Sequence, residues 1–244
     1  MKQLDLPQPL LLITIGYPGA GKSSFAKQLA KSYDFAWVHA NYLRHSLFAH
    51  PSFSREEEEC VGMITDYMLR ELLRGHGNII FDANANPQIA RAKIIKQARD
   101  AGFRVLTVWI QTDLETAKLR ASKRTGRRQD DEFNAIAYTT QQFEHFAKQL
   151  ARPMTSESYV VISGKHAYPT QIRTLLTKIE ELYRPAKPHA AKPEAKREIR
   201  QVKEIMPPKR DQLPSVEDIH RAAAPKPKER SRPRFDITRH IKFR

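Results

Sequence analysis

The sequence predicts an α/β protein, a five-stranded parallel sheet with helices on both faces, followed by a basic, proline-rich tail. Three observations carry that prediction. Short apolar runs alternate with longer helical patterns up to residue 183. The first run, Leu10–Ile15, leads directly into the glycine-rich stretch Gly16-Tyr17-Pro18-Gly19-Ala20-Gly21-Lys22-Ser23. The composition then changes abruptly at Arg184, which divides the chain into a domain of residues 1–183 and a tail of residues 184–244.

The elements follow in order. Strands are expected at Leu10–Ile15, Phe35–Val38, Asn78–Phe81, Arg104–Ile110 and Tyr159–Ile162, each bounded by polar or glycine-containing turns. Helices are expected from Gly21 to Ser32, over Asn41–Phe48, and over Arg55–Arg74, the last opened by the capping box Ser54-x-x-Glu57. The acidic run Glu56–Glu59 then reads as a first turn that complements the helix dipole, without a catalytic role. Further helices should span Pro87–Ala101, with Pro87 in its first turn, then Leu114–Arg124, Glu132–Leu150 and Pro169–Tyr183. Helical crossovers between strands make the sheet parallel, and ligands bind at the carboxyl ends of such strands.

Charge is distributed unevenly. From Arg184 to Arg244 there are 18 Lys and Arg against 8 Asp and Glu, a net of +10, whereas residues 1–183 carry only +5. The tail also holds 9 of the 16 prolines and no glycine, a composition expected to stay extended because it buries too little apolar surface to offset the entropy of ordering. Such an arm is attracted to polyanions, RNA or DNA among them, or serves simply as a solvated extension. The single cysteine, Cys60, excludes an internal disulfide and a thiolate metal cluster. No apolar run reaches the length of a membrane span and the first residues do not resemble a signal peptide, so a cytoplasmic protein without a membrane partner is expected.

The glycine-rich stretch has the chemistry of a phosphate-binding loop. A strand, a tight glycine turn and a helix aim successive backbone N–H groups at one point, where they cradle phosphate with help from the helix dipole. Gly16, Gly19, Ala20, Gly21, Lys22, Ser23 and Ser24 are the expected nucleotide-binding residues. Lys22 would bridge the β- and γ-phosphates and Ser23 would place its hydroxyl on Mg2+. Asp82 ends the third apolar run on the same sheet edge, where a carboxylate holds magnesium or takes a proton from an acceptor hydroxyl. Asn84, Asn86 and Arg91 behind it could orient a substrate. Five cations crowd Arg120 to Arg128, a density that suits a multivalent anion. Arg120 and Arg124 could flank the nucleotide, and Arg127 or Arg128 could steady transition-state charge.

Taken in order, the phosphate loop, His39-Ala40-Asn41-Tyr42-Leu43-Arg44, Phe81-Asp82-Ala83-Asn84-Ala85-Asn86, Val108-Trp109-Ile110 and the arginine-rich segment resemble the small P-loop kinases. The nearest resemblance is to the AAA-type kinases grouped with zeta toxins and the kinase domain of polynucleotide kinases, over about residues 8–183. The resemblance implies an adenylate-kinase-like strand order 2-3-1-4-5, ATP with Mg2+ as donor, and phosphoryl transfer to the hydroxyl of a nucleic-acid end, nucleotide or small metabolite. It also implies an Asp-x-x-Arg pair after the second strand, the Asp as general base and the Arg on substrate or phosphate. Here those positions are Asn41 and Arg44, and Asn cannot accept a proton at neutral pH. Either Asp82 takes over, or transfer is slow, or the protein hydrolyses or merely senses nucleotide. The catalytic set read from the sequence is Lys22, Asp82, Arg124 and Arg127; the substrate set is Asn41, Arg44, Asn84 and Arg91. The competing reading is a nucleotide-binding regulator or adaptor that engages RNA or protein through its tail.

Overall fold

The computed structural model describes residues 4–75, 77–123 and 137–184. Arg124, Arg127, Arg128 and the tail beyond residue 184 lie outside the described residues.

The strand β1, Leu10–Ile15, is buried along its whole length, as a run apolar on both faces requires at the centre of a parallel sheet. Its neighbours are β3 (Asn78–Asp82) and β4 (Arg104–Gln111), and the edges are β2 (Phe35–His39) and β5 (Tyr159–Ser163). The order is β2-β3-β1-β4-β5, all pairs parallel, as the resemblance implied. Side chains alternate across β1 and build two cores. Leu10 and Leu12 face α1 (Lys22–Ser32) and α7 (Tyr168–Tyr183), meeting Phe25, Leu29, Leu175 and Ile179. Leu11, Ile13 and Ile15 face α3 (Arg55–Arg74) and α4 (Gln88–Asp100), meeting Leu69, Leu73, Ile94 and Ala98. A third, smaller cluster joins α5 (Leu114–Ser122) to α6 (Thr140–Lys148) through Ala117, Ala121 and Phe143. Among the described residues no helix is long and apolar enough to cross a membrane.

Boundaries differ from the sequence reading where a cap decides them. α6 begins at Thr140 because Thr139 caps it: its hydroxyl accepts from Gln142 N–H while the Gln142 side chain accepts from Thr139 N–H. Pro87 is the residue before α4 instead of its first turn. The expected capping box at Ser54 forms by half. The Ser54 hydroxyl accepts from Glu57 N–H, but the Glu57 carboxylate turns away to other partners.

Candidate active site

β1, β2 and β3 end together, and the register sets His39 opposite Asp82. The loop after β1 turns on glycines in the left-handed region; Gly19 has φ +82°, and a Cβ there would collide with the Ala117 carbonyl oxygen. Asn86 clamps the start of the loop from both sides, accepting from Gly16 N–H at 3.0 Å and donating to the Gly16 carbonyl at 3.0 Å. Asn86 therefore holds the phosphate loop, and it also lines the pocket beside that loop. α1 starts at Lys22, directly after Gly21 at φ +105°. The Lys22 ammonium donates to the Gly16 and Tyr17 carbonyls at 2.9 Å each, which folds it back over its own loop.

Gly19, Lys22 and Ser23 line a pocket at the carboxyl edge of the sheet. Gly16 and Ala20 are buried beneath it, Gly21 caps α1, and Ser24 is exposed one residue further on. Asp82 lines the same pocket and is 5% exposed; its Oδ1 accepts from the Thr14 hydroxyl at 2.8 Å, and its Oδ2 is 3.6 Å from His39 Nε2. Oδ2 is buried and accepts no hydrogen bond among the described residues. A carboxylate oxygen with capacity to spare, in one pocket with a hydroxyl, suits a hard cation that prefers oxygen, so Ser23 and Asp82 fit magnesium. Among the described residues there is no cluster of three or more His, Cys, Asp or Glu placed to hold a metal.

The far half of the pocket comes from α2 (Ala40–Leu47), α3 and α6. Asn41, Arg44 and Asn84 line it. Arg91 does not. Fully buried, it pairs with Glu157 at 2.7 Å and donates to the Ala85, Asn86 and Arg152 carbonyls, so it braces the loop after β3 from behind. Arg120 donates to the Gly164 carbonyl at 3.0 Å and so ties α5 to the β5–α7 turn.

The sequence reading missed the group around Arg44. The Arg44 guanidinium, 3% exposed, donates to Glu57 Oε2 at 3.1 Å and to Glu58 Oε1, and its Cζ lies 4.5 Å from the centre of the Phe53 ring. Glu57 also accepts from the Ser52 N–H and hydroxyl and from Phe53 N–H at 2.8 Å. Burial alone would push the Glu57 carboxyl up, but these hydrogen bonds outweigh it and hold it below the usual glutamate range. Burial pushes the Glu58 carboxyl up, and the neighbouring Glu57 charge adds to the rise against the pull of Arg44 and His145. Phe53 sits at φ +58°, a strained backbone for a bulky residue that persists only where its surroundings impose it. The Glu57 hydrogen bond, Arg44 and the rings of Tyr138 at 4.8 Å and Phe146 at 5.7 Å impose it here. Phe53, Tyr138 and Phe146 form the apolar wall of the pocket. The surplus of acid in Glu56–Glu59, more than a helix dipole needs, was the one available signal, and its basic partner lies 13 residues earlier.

A family model described as the AAA domain matches residues 11–153. The chain belongs to that family. No curated protein matches the sequence. Among solved structures, Chaetomium thermophilum Kti12 in complex with ADP-AlF3 is 18% identical with a TM-score of 0.53, covering 72% of this chain and 100% of that one. A gluconokinase from Sinorhizobium meliloti 1021 is 14% identical with a TM-score of 0.51, covering 73% and 94%. The Mycobacterium tuberculosis APS kinase CysC in complex with AMPPNP and APS is 21% identical with a TM-score of 0.50, covering 71% and 99%. Identities this low establish the fold alone. The AAA domain of this chain thus has a P-loop, kinase-like fold.

Proposed function

We propose that the protein is an ATP-dependent phosphotransferase that moves the γ-phosphate to a hydroxyl of a nucleic-acid end, nucleotide or small metabolite. One observation carries the reading: Lys22, Ser23 and Asp82 share a single pocket with Asn41, Arg44 and Asn84, so donor phosphates and an acceptor have adjoining places in one cavity. A site that only hydrolysed nucleotide would not need the second half.

In this reading the loop amides and Lys22 hold the β- and γ-phosphates, the ammonium exchanging its two loop carbonyls for phosphate oxygens. Ser23 and Asp82 would hold magnesium, which supplies positive charge to those phosphates. Arg44 and Asn84 would orient the acceptor, and the aromatic wall favours one with an apolar or ring surface. Arg120 and Arg124 would flank the nucleotide, and Arg127 would steady charge in the transition state. The acceptor oxygen attacks the γ-phosphorus in line, the bond to the β–γ bridging oxygen breaks, and ADP leaves with that electron pair.

Residues 184–244 form the second unit of this reading, a basic arm for RNA, DNA or another polyanion, supported by the net charge of +10. A nucleotide-binding regulator is the alternative, favoured by Asn41, which lines the pocket at the position where the resemblance to small P-loop kinases implies an Asp. Incubation with γ-labelled ATP and a mixed pool of RNA, DNA and metabolites decides between them. Label on an acceptor supports the kinase, and label released only as phosphate, or not at all, supports the regulator.

A further inference from the structure

We propose that the Glu58 carboxylate takes the proton from the accepting hydroxyl, in place of residue 41. The inference rests on the phosphotransferase reading and names the proton acceptor of that same site.

Two carboxylates line the pocket among its described residues, Asp82 and Glu58. Asp82 lies beside Lys22 and Ser23 in the pocket, engaged by Thr14 and beside His39, where it would hold the magnesium. Glu58 stands on the acceptor side with its side chain 29% exposed, and Asn41 in the same pocket has no basic atom at neutral pH.

The charges around Glu58 leave it ready to take a proton. Arg44 is one cation facing two carboxylates. Glu57 is saturated by Ser52, Phe53 and Arg44 and keeps its charge. The net negative charge of the trio therefore resides on Glu58. Protonation there leaves a charge-balanced Arg44–Glu57 pair, at the loss of the Arg44–Glu58 ion pair. Among the described residues, the other charged or titratable groups facing the pocket are Lys22 from α1, His39 from β2, Asp82 from β3 and the Tyr138 phenol ahead of α6, with His145 of α6 near Glu58. A carboxyl raised by burial is a better base near neutral pH than an exposed one. The geometry is imposed from behind: strained Phe53 lies over the Arg44 guanidinium, and Gln142 of α6 donates to the Ser52 carbonyl at 3.0 Å, fixing the loop whose amides hold Glu57.

The step balances. The O–H bond of the acceptor breaks, its proton goes to a Glu58 oxygen, and the freed electron pair forms the bond to the γ-phosphorus. The bond from that phosphorus to the bridging oxygen breaks, and its pair leaves on ADP.

The test uses the full chain with γ-labelled ATP, magnesium and a pool of ribonucleosides, 5′-hydroxyl RNA and DNA oligonucleotides and hexoses. Glu58→Gln should lower transfer by about 10²-fold with ATP affinity unchanged. Glu58→Asp should keep more of the rate than Glu58→Gln. Adding Asn41→Asp to Glu58→Gln should recover about tenfold, which no purely structural role for Glu58 would allow. The acid limb of the parent rate–pH profile should lie above the ordinary glutamate value and vanish in Glu58→Gln. Transfer by Glu58→Gln within about threefold of the parent, with the same pH profile, overturns the inference while leaving the phosphotransferase reading intact. A parent that binds ATP and labels none of the acceptors overturns that reading and the inference with it. Should Glu58→Gln fold poorly by melting temperature, Glu58→Asp decides, and an unshifted acid limb there counts against the inference.

Discussion

Removing Glu157 should destabilise the protein and loosen its phosphate loop, because Glu157 is the sole charged partner of a fully buried arginine among the described residues. The Arg91 side chain is 0% exposed and Glu157 10%. Arg91 Nε donates to Oε2 at 2.7 Å and Nη2 to Oε1 at 3.2 Å, and the three remaining contacts go to the Ala85, Asn86 and Arg152 carbonyls. In Glu157→Ala those neutral carbonyls are all that face an uncompensated cation, a situation that costs about 3–5 kcal/mol. For a folded unit of this size each kcal/mol moves the melting temperature by about 2–4 °C, so the smaller loss gives a drop of roughly 6–12 °C. Replacing both partners, as Arg91→Met with Glu157→Gln, should restore most of that loss, since neither charge is then stranded. Function should follow stability through a short chain of contacts: Arg91 holds the Asn86 carbonyl, and Asn86 holds Gly16. ATP should therefore bind Glu157→Ala more weakly at temperatures where the variant is still folded. Denaturant melts of the parent, Arg91→Met, Glu157→Gln and the variant carrying both form the double-mutant cycle. A single variant within about 0.5 kcal/mol of the parent, or a coupling below that size, would refute this account of the pair.

Glu57→Gln should lose stability at neutral pH, and the deficit should follow the sign of the native shift. The folded carboxyl lies below its ordinary value of 4.5, so its contribution is fully present above that value and fades as pH falls through the depressed one. Melts from pH 7 to pH 3 should show parent and variant converging at the acid end; a constant gap would contradict the assignment. Asp82→Asn should keep the fold and much of the nucleotide affinity while lowering turnover by about 10²-fold, measured with labelled ATP, and unchanged turnover would remove Asp82 from the site. Deleting residues 186–244 should leave ATP affinity unchanged and abolish any RNA binding that weakens steeply between about 50 and 200 mM salt. A truncated protein that binds RNA as well as the full chain would remove the tail from that role.

The sheet was legible because its strands are marked twice, by apolar runs and by the polar turns that bound them, and Leu10–Ile15 stands with the bounds expected of it. The strand order came from resemblance, since runs alone do not say which strand lies at the centre. The strand–glycine turn–helix shape of the loop was legible for a related reason: Gly16 to Ser23 is contiguous, so spacing encodes geometry. The far half of the pocket is assembled from α2, the loop at Ser52 and Phe53, α3 and α6, and nothing local in the sequence joins them. Glu57 and Glu58 thus read as dipole complement, although they are the acids that Arg44 meets. Arg91 failed differently. An arginine beside a candidate site reads as a ligand-binding group, whereas its neighbour Glu157 is 66 residues away in sequence and its burial shows only in three dimensions.

Calorimetric titration of ATP with magnesium into the parent and Lys22→Ala tests the central claim most directly. Lys22 is the one side-chain cation within the phosphate loop, and charge-assisted contacts of this kind are worth about 1.5–3 kcal/mol. The account predicts saturable binding to the parent at one site and at least about tenfold weaker binding to Lys22→Ala. Equal affinity in the two proteins would contradict it.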